Sequence, residues 1–314
     1  ELGLEVRGGS EVDPKLAAAF TKRTGARSYP GVEELIRGGR RGEYSELHNL
    51  DIVTSGVPCP YRSRAGAMTS RKGKARREAG TERHLFQRQV EWFEIFRPRA
   101  ALIEQPAPMS SHLHEYTALT EGMQRWGYNC QARVLNCAEH GDFTSRRRWF
   151  LVCLRHNGAI EWPLPRTTFE GLASVLDPIK TVAPASYVQP SPKVVYVKRT
   201  PRSIPGAMTA RKLGSYKVHG VVDDRSVRVY DRRYPLPSAI TTCSLQSGSP
   251  GGLVRGPFGD YQVSPLEVAR AHSFTDEALA QVERLTDTNE QWKWVANSTP
   301  RRTVQVLLSA IMDS

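Results

Sequence analysis

Cys59 stands between two prolines in Gly56-Val57-Pro58-Cys59-Pro60, just after a short apolar run of Leu50, Ile52 and Val53. Proline stiffens the backbone, and open α/β sheets present reactive groups at the carboxyl ends of their strands, so this thiol is placed to act as a nucleophile. A small buried thiol filling a gap fits the same turn. Glu104 is the second candidate. It ends the apolar run 100–103 and is followed by Gln105-Pro106. Right-handed βαβ connection puts its strand beside the Cys59 strand, so a carboxylate and a thiol would face one crevice. Arg146 and Arg148 form the third group, just ahead of the apolar run 149–154. Two apart on an extended backbone, they share a face and could hold a carboxylate and a base oxygen or phosphate. A helix cap at Glu104 and a solvated basic strand start at the arginines are the structural alternatives.

The elements needed to position these groups are legible around them. A strand over 4–10 ends at Glu11, and Asp13-Pro14 opens a helix over 15–24. An acid closing a strand in that setting is placed for the two hydroxyls of a ribose. A strand and a glycine-rich turn are expected ahead of Glu1. Residues 37–48 read as a polar connector and 50–54 as a strand. Leu85, Phe86, Val90, Phe93 and Phe96 recur at helical spacing over 81–96, and Arg97-Pro98 stops that helix. Residues 110–126 read as a helix and 131–136 as a strand. Further helices are expected over 265–271 and 303–311, with Asn297-Ser298-Thr299 before Pro300 as the polar cap of the last.

With 314 residues, of which 39% are hydrophobic and 24% charged, the chain has the composition of a globular protein able to bury one large core, or a core plus a smaller lobe. No apolar run approaches a membrane span, and the N-terminus lacks a signal-peptide pattern, so neither membrane association nor secretion is expected. The five cysteines show no CxxC spacing, which argues against a metal site or a disulfide framework and for a reducing compartment. The net charge of +12 points to a polyanionic partner. Basic residues cluster after Cys59, at Arg62, Arg64, Arg71, Lys72, Lys74, Arg76, Arg77 and Arg83, where a loop could touch phosphates while the thiol touches a base.

Taken in order, these stretches resemble the DNA (cytosine-5) methyltransferase family. Pro58-Cys59 with Ser63, Ala65 and Gly66 resembles its catalytic loop, and Leu85-Phe86 the helix start beside its cofactor. Ile103-Glu104-Gln105-Pro106 resembles its Glu-Asn-Val strand end. Gly141 through Arg148 resembles its Gln-x-Arg-x-Arg motif, with Thr144 in place of Gln. Ser264 through Phe274 resembles the helix before its last motif, and Ala296-Asn297-Ser298-Thr299-Pro300 resembles Gly-Asn-Ser-Val-Pro.

The resemblance implies a doubly wound, Rossmann-like α/β methyltransferase sheet with a smaller, loop-rich, β-containing target-recognition lobe. The catalytic domain is expected over 1–156, the Pro-rich lobe over 157–228, and a segment returning to the catalytic domain over 229–314. It implies that Cys59 adds to C6 of a flipped cytosine in double-stranded DNA, that Glu104 holds a proton at N3, and that Arg146 and Arg148 orient Glu104 and engage O2. S-adenosyl-L-methionine is the implied methyl donor, held by Glu11, Val12, Pro58, Leu85, Asn297, Ser298 and Thr299. Val57, Ser63 and Arg64 are the implied substrate contacts. No metal is implied, and a monomer on DNA is expected, in the nucleus of a eukaryote or the cytoplasm of a bacterium. The chain departs from the pattern in lacking the Phe-x-Gly-x-Gly loop and an Asp in Tyr29-Pro30-Gly31-Val32, and in carrying Pro60, Gln105 and Pro106 at motif positions. A non-catalytic DNA-binding or regulatory paralogue and a tRNA cytosine-5 methyltransferase stay open as alternatives.

Overall fold

The first helix is set by its cap. Asp13 accepts the Lys15 N–H at 2.9 Å, Pro14 follows at the first helical position, and Gly25 ends the helix with φ +69. In the computed structural model the described residues are 2–57, 81–108, 112–166, 168, 171–176 and 263–314, with the backbone of short strands between 187 and 262. Contacts divide the chain into two compact units: residues 1–134, 148–162 and 307–314 form one, and 135–147 and 163–306 the other.

In the first unit, β1 (Gly8–Ser10) and β2 (Arg27–Tyr29) pair in parallel around α1 (Pro14–Thr24), and α2 (Val32–Arg40) follows. The main sheet then takes β3 (Ile52–Ser55) and, after α3 (Thr81–Phe96), β4 (Ala100–Pro106) beside it in parallel. After α4 (Leu113–Arg125) come β5 (Asn129–Asn136), β6 (Thr144–Ser145) and β7 (Arg147–Leu154), and the sheet order is β3-β4-β7-β5. Strand β4 is buried from Ala100 to Ile103, as expected of a strand covered on both faces. Phe86, Phe93 and Phe96 of α3 and Tyr116 and Met123 of α4 pack with Ala101, Ile103 and Leu151 of the sheet. Burial of this sort is the main stabilising term, roughly 1.5–3 kcal/mol for each large apolar side chain.

The second unit has its own core of Phe143, Val263, Val268, Val282, Trp292 and Val295. It carries α5 (Pro265–Ala271), α6 (Asp276–Arg284), α7 (Thr288–Asn297) and the start of α8 (Arg301–Met312). Helix α5 has a reciprocal cap: Ser264 Oγ accepts the Glu267 N–H at 3.2 Å, and Glu267 Oε2 accepts the Ser264 N–H at 2.7 Å. Between 187 and 262 the backbone makes two short antiparallel hairpins and a four-stranded sheet containing Val229–Asp231, Leu253–Gly256, Gly259–Gln262 and Tyr187–Val188.

Three local expectations are corrected. Residues 37–48 are not all connector, because α2 runs to Arg40 and buries Leu35 and Ile36. Cys130 and Cys153 are disulfide-linked, Cα atoms 4.1 Å apart, because β5 and β7 are neighbours; a separation of 23 residues hides that adjacency. The start of α8 takes its cap from Asp142, which accepts the Arg302 and Thr303 N–H groups at 3.1 and 2.9 Å.

Candidate functional site

In the first unit the parallel register sets Ser55 beside Ile103, so Gly56 emerges next to Glu104. A Cβ at Gly56 would stand 3.6 Å from Glu104 Oε2. On the other side of β4 the antiparallel register pairs Glu104 with Phe150 and Pro106 with Arg148. Arg148 therefore lies diagonal to Glu104 on the same face. Its Nε donates to Glu104 Oε1 at 2.7 Å, with the two side chains 13% and 20% exposed. A charge-assisted bond that far from water is strongly oriented, and the carboxylate keeps its second oxygen toward Gly56.

Gln105 points to the opposite face of β4. It is fully buried, and its Nε2 donates to the Val57 carbonyl at 3.1 Å. A second buried glutamine, Gln89, accepts the Ser55 hydroxyl at 2.6 Å and donates to the Phe86 carbonyl at 3.1 Å. Two side-chain amides thus hold the end of β3, one from α3 and one from β4. Leu85 is half-buried at the start of α3. Pro58, Cys59, Ser63 and Arg64 lie outside the described residues.

Glu11 follows β1 directly, its N–H near the Tyr29 carbonyl at 3.4 Å and its Oε1 accepting the Asp13 N–H at 2.9 Å. Val12 is 80% exposed, and its Cγ1 lies 2.6 Å from where a Cβ on Gly31 would stand. An acid with one carboxylate oxygen left over could accept from a pair of hydroxyls, and the uncovered apolar side chain beside it offers a surface to a flat ring.

In the second unit the motif containing Arg146 is tied to the segment around residue 300. Asp142 is fully buried and also accepts the Thr303 hydroxyl at 2.6 Å, while Arg302 donates to the Gly141 carbonyl at 2.7 Å. Burial pushes the Asp142 carboxyl up, and hydrogen bonds from Thr303, Ser273 and Arg302 oppose that. Arg146 is buried, and its Nη2 donates to the Ala296 carbonyl at 2.8 Å. His272 Nδ1 lies 2.9 Å from Ser298 Oγ, which itself donates to the Val295 carbonyl at 2.7 Å. Asn297 is exposed and Thr299 half-buried. His272 and Asp142 were not singled out by sequence reasoning; the one available signal was a polar residue at the edge of a recognised motif.

The family model described as C-5 cytosine-specific DNA methylase matches residues 1–220. The chain belongs to this family. Among DNA methylase relatives, it is 30% identical over 107 residues to the Type II methyltransferase M.CviJI of Paramecium bursaria Chlorella virus IL3A, covering 34% of this chain and 27% of that one. It is 30% identical over 122 residues to M1.HphI of Haemophilus parahaemolyticus, covering 38% and 31%. The match thus spans less than a third of either relative's length. Two solved structures share the methylase fold. The S. pombe Dnmt2 methyltransferase has a TM-score of 0.63 at 13% identity, covering 98% of this chain and 91% of that one. The Entamoeba histolytica methyltransferase EhMeth has a TM-score of 0.64 at 14% identity, covering 97% and 89%. At that identity the likeness speaks for the fold, a Rossmann-like α/β methyltransferase architecture.

Among the described residues, no group of three or more His, Cys, Asp and Glu could hold a metal, and no helix is long and apolar enough to cross a membrane.

Proposed function

We propose that this chain transfers a methyl group from S-adenosyl-L-methionine to C5 of cytosine in double-stranded DNA. The observation that carries the reading is the Glu104–Arg148 pair at 2.7 Å, beside Gly56, which precedes Cys59 by three residues in the sequence. Cytosine C5 is a weak nucleophile. The Cys59 thiolate adds to C6, forming an S–C6 bond and moving electron density onto C5 and toward N3. Glu104 holds a proton at N3 to take up that density, and Arg148 fixes the carboxyl that carries it. C5 takes the methyl as the sulfonium sulfur leaves as a neutral thioether; a water then takes the C5 proton, the S–C6 bond breaks, Cys59 departs as thiolate and the ring is restored.

The ring is attacked from above its plane, so the base leaves the stack before reaction. S-adenosyl-L-methionine supplies an electrophilic methyl on a sulfonium. Glu11 would take its ribose hydroxyls and Val12 would lie against its adenine. Asn297 and Thr299 offer amide and hydroxyl groups suited to its amino-acid end. Pro58 and Leu85 belong to the same proposal, as do Val57, Ser63 and Arg64 on the substrate side.

The test is transfer of labelled methyl to mixed-sequence duplex DNA and, in a separate arm, to tRNA, comparing the unmutated chain with Cys59→Ala and Glu104→Gln. Label entering DNA from the unmutated chain only, with Glu104→Gln slowed about a hundredfold or more, is the expected result. Label in tRNA alone would reassign the substrate. DNA binding without label from any form would make the chain a non-catalytic member of its family.

A further inference from the structure

Arg146 and Arg148 stand two apart on one strand approach, yet the Arg148 guanidinium meets the Glu104 carboxylate and the Arg146 guanidinium the Ala296 carbonyl. Ala296 is the penultimate residue of α7, and carbonyls in a helix's last turn lack intrahelical partners and carry partial negative charge. A buried guanidinium on that carbonyl satisfies it and places a cation where the helix end favours one. The preceding carbonyl, Val295 O, takes both the Ser298 N–H at 3.2 Å and the Ser298 hydroxyl at 2.7 Å. The hydroxyl has one proton and spends it there. In its contact with His272, Ser298 Oγ is therefore the acceptor, and His272 carries its proton on Nδ1. The His272 carbonyl in turn accepts the Arg301 N–H at 2.9 Å, holding the far side of the same segment.

We propose that Arg146 and His272 are positioning residues that preset the Asn297-Ser298-Thr299 turn for S-adenosyl-L-methionine, so that Arg146 governs methyl-donor affinity rather than contacting the base. This rests on the reading above that the turn binds the methyl donor. Two side chains from distant parts of the sequence grip the turn, one through the Ala296 peptide and one through Ser298. Ser298 donates to the protein, leaving Asn297 and Thr299 to face the ligand.

Titration calorimetry with S-adenosylhomocysteine, which binds without reacting, tests this on the intact chain. The forms compared are unmutated, Arg146→Met, Arg146→Lys, His272→Leu and His272→Asn, each also melted without ligand and titrated with duplex DNA. Arg146→Met is expected to raise the Kd for S-adenosylhomocysteine about tenfold or more through loss of a charge-assisted bond. Arg146→Lys, which keeps a cation and donor, is expected to recover part of that loss. His272→Asn keeps a donor near Nδ1 and should bind close to the unmutated chain, whereas His272→Leu should not. DNA affinity should change by less than about twofold, since no direct phosphate or base contact is removed.

Unchanged S-adenosylhomocysteine affinity in Arg146→Met, with slower methyl transfer at saturating donor, would place Arg146 on the base and overturn the inference alone. A weakened affinity matched by a collapse of the ligand-free melting temperature would also overturn it, as would equal losses in the two His272 variants. If the unmutated chain bound no S-adenosylhomocysteine, the cofactor reading itself would fall, and the inference with it.

Discussion

Glu104 and Arg148 meet because antiparallel register turns a sequence separation of 44 residues into a diagonal across two strands, with Glu104 opposite Phe150 and Arg148 opposite Pro106. The bond uses Arg148 Nε, a donor fixed in the guanidinium plane that lysine cannot reproduce. Arg148→Lys is therefore expected to lower kcat for methyl transfer on the order of 10- to 100-fold with a near-native melting temperature, as steady-state kinetics with labelled donor would show. A loss below twofold would remove Arg148 from the proposed role. Gln105 shows how a departure from a family pattern can still hold the backbone. The residue expected there is Asn, yet the longer amide reaches the Val57 carbonyl and holds the backbone just past the end of β3.

At the scale of elements, α8 depends on a residue far away in the chain. Asp142, 160 residues before Arg302, accepts two backbone N–H groups of the helix's first turn and the Thr303 hydroxyl. Asp142→Ala takes this acceptor from the buried Thr303 N–H and the part-buried Arg302 N–H and leaves the Thr303 hydroxyl only the Cys137 carbonyl at 3.4 Å, so a loss of roughly 2–4 kcal/mol is expected. Asp142→Asn, which keeps one acceptor oxygen, should lose less; urea unfolding midpoints would measure both. Equal stability of Asp142→Ala and the unmutated chain would show that the cap is dispensable. Helix α2 was illegible for a related reason. Gly38 and Gly39 made its stretch read as a connector, but a Cβ at Gly38 would come within 2.4 Å of the Tyr44 ring, so the glycine serves a close approach.

For the molecule as a whole, the charge of +12 bears on partner rather than fold. Duplex DNA binding that neutralises about six phosphates would weaken roughly a thousandfold between 50 and 200 mM salt. Fluorescence anisotropy across that range would check it. A slope equivalent to fewer than about two phosphates would argue against a long phosphate-tracking surface. Family membership has a different basis from charge. It rests on the match of the family model over residues 1–220.

Much of this protein was written in local pattern. The phenylalanine spacing of α3 marked its range and the Asp13-Pro14 pair marked α1, because helix periodicity and capping depend on neighbours a few residues apart. The motif residues named the family for the same reason: each motif is short and contiguous. Tertiary structure alone decided the pairings that join distant segments. Cys130 reaches Cys153 only because β5 and β7 are adjacent, and Asp142 caps α8 only because the second unit folds the two together. It also gave Arg146 and Arg148 different partners, the Ala296 carbonyl and the Glu104 carboxylate. Alternation along a strand says which way a side chain points, but the partner it finds depends on what the rest of the chain brings to that face.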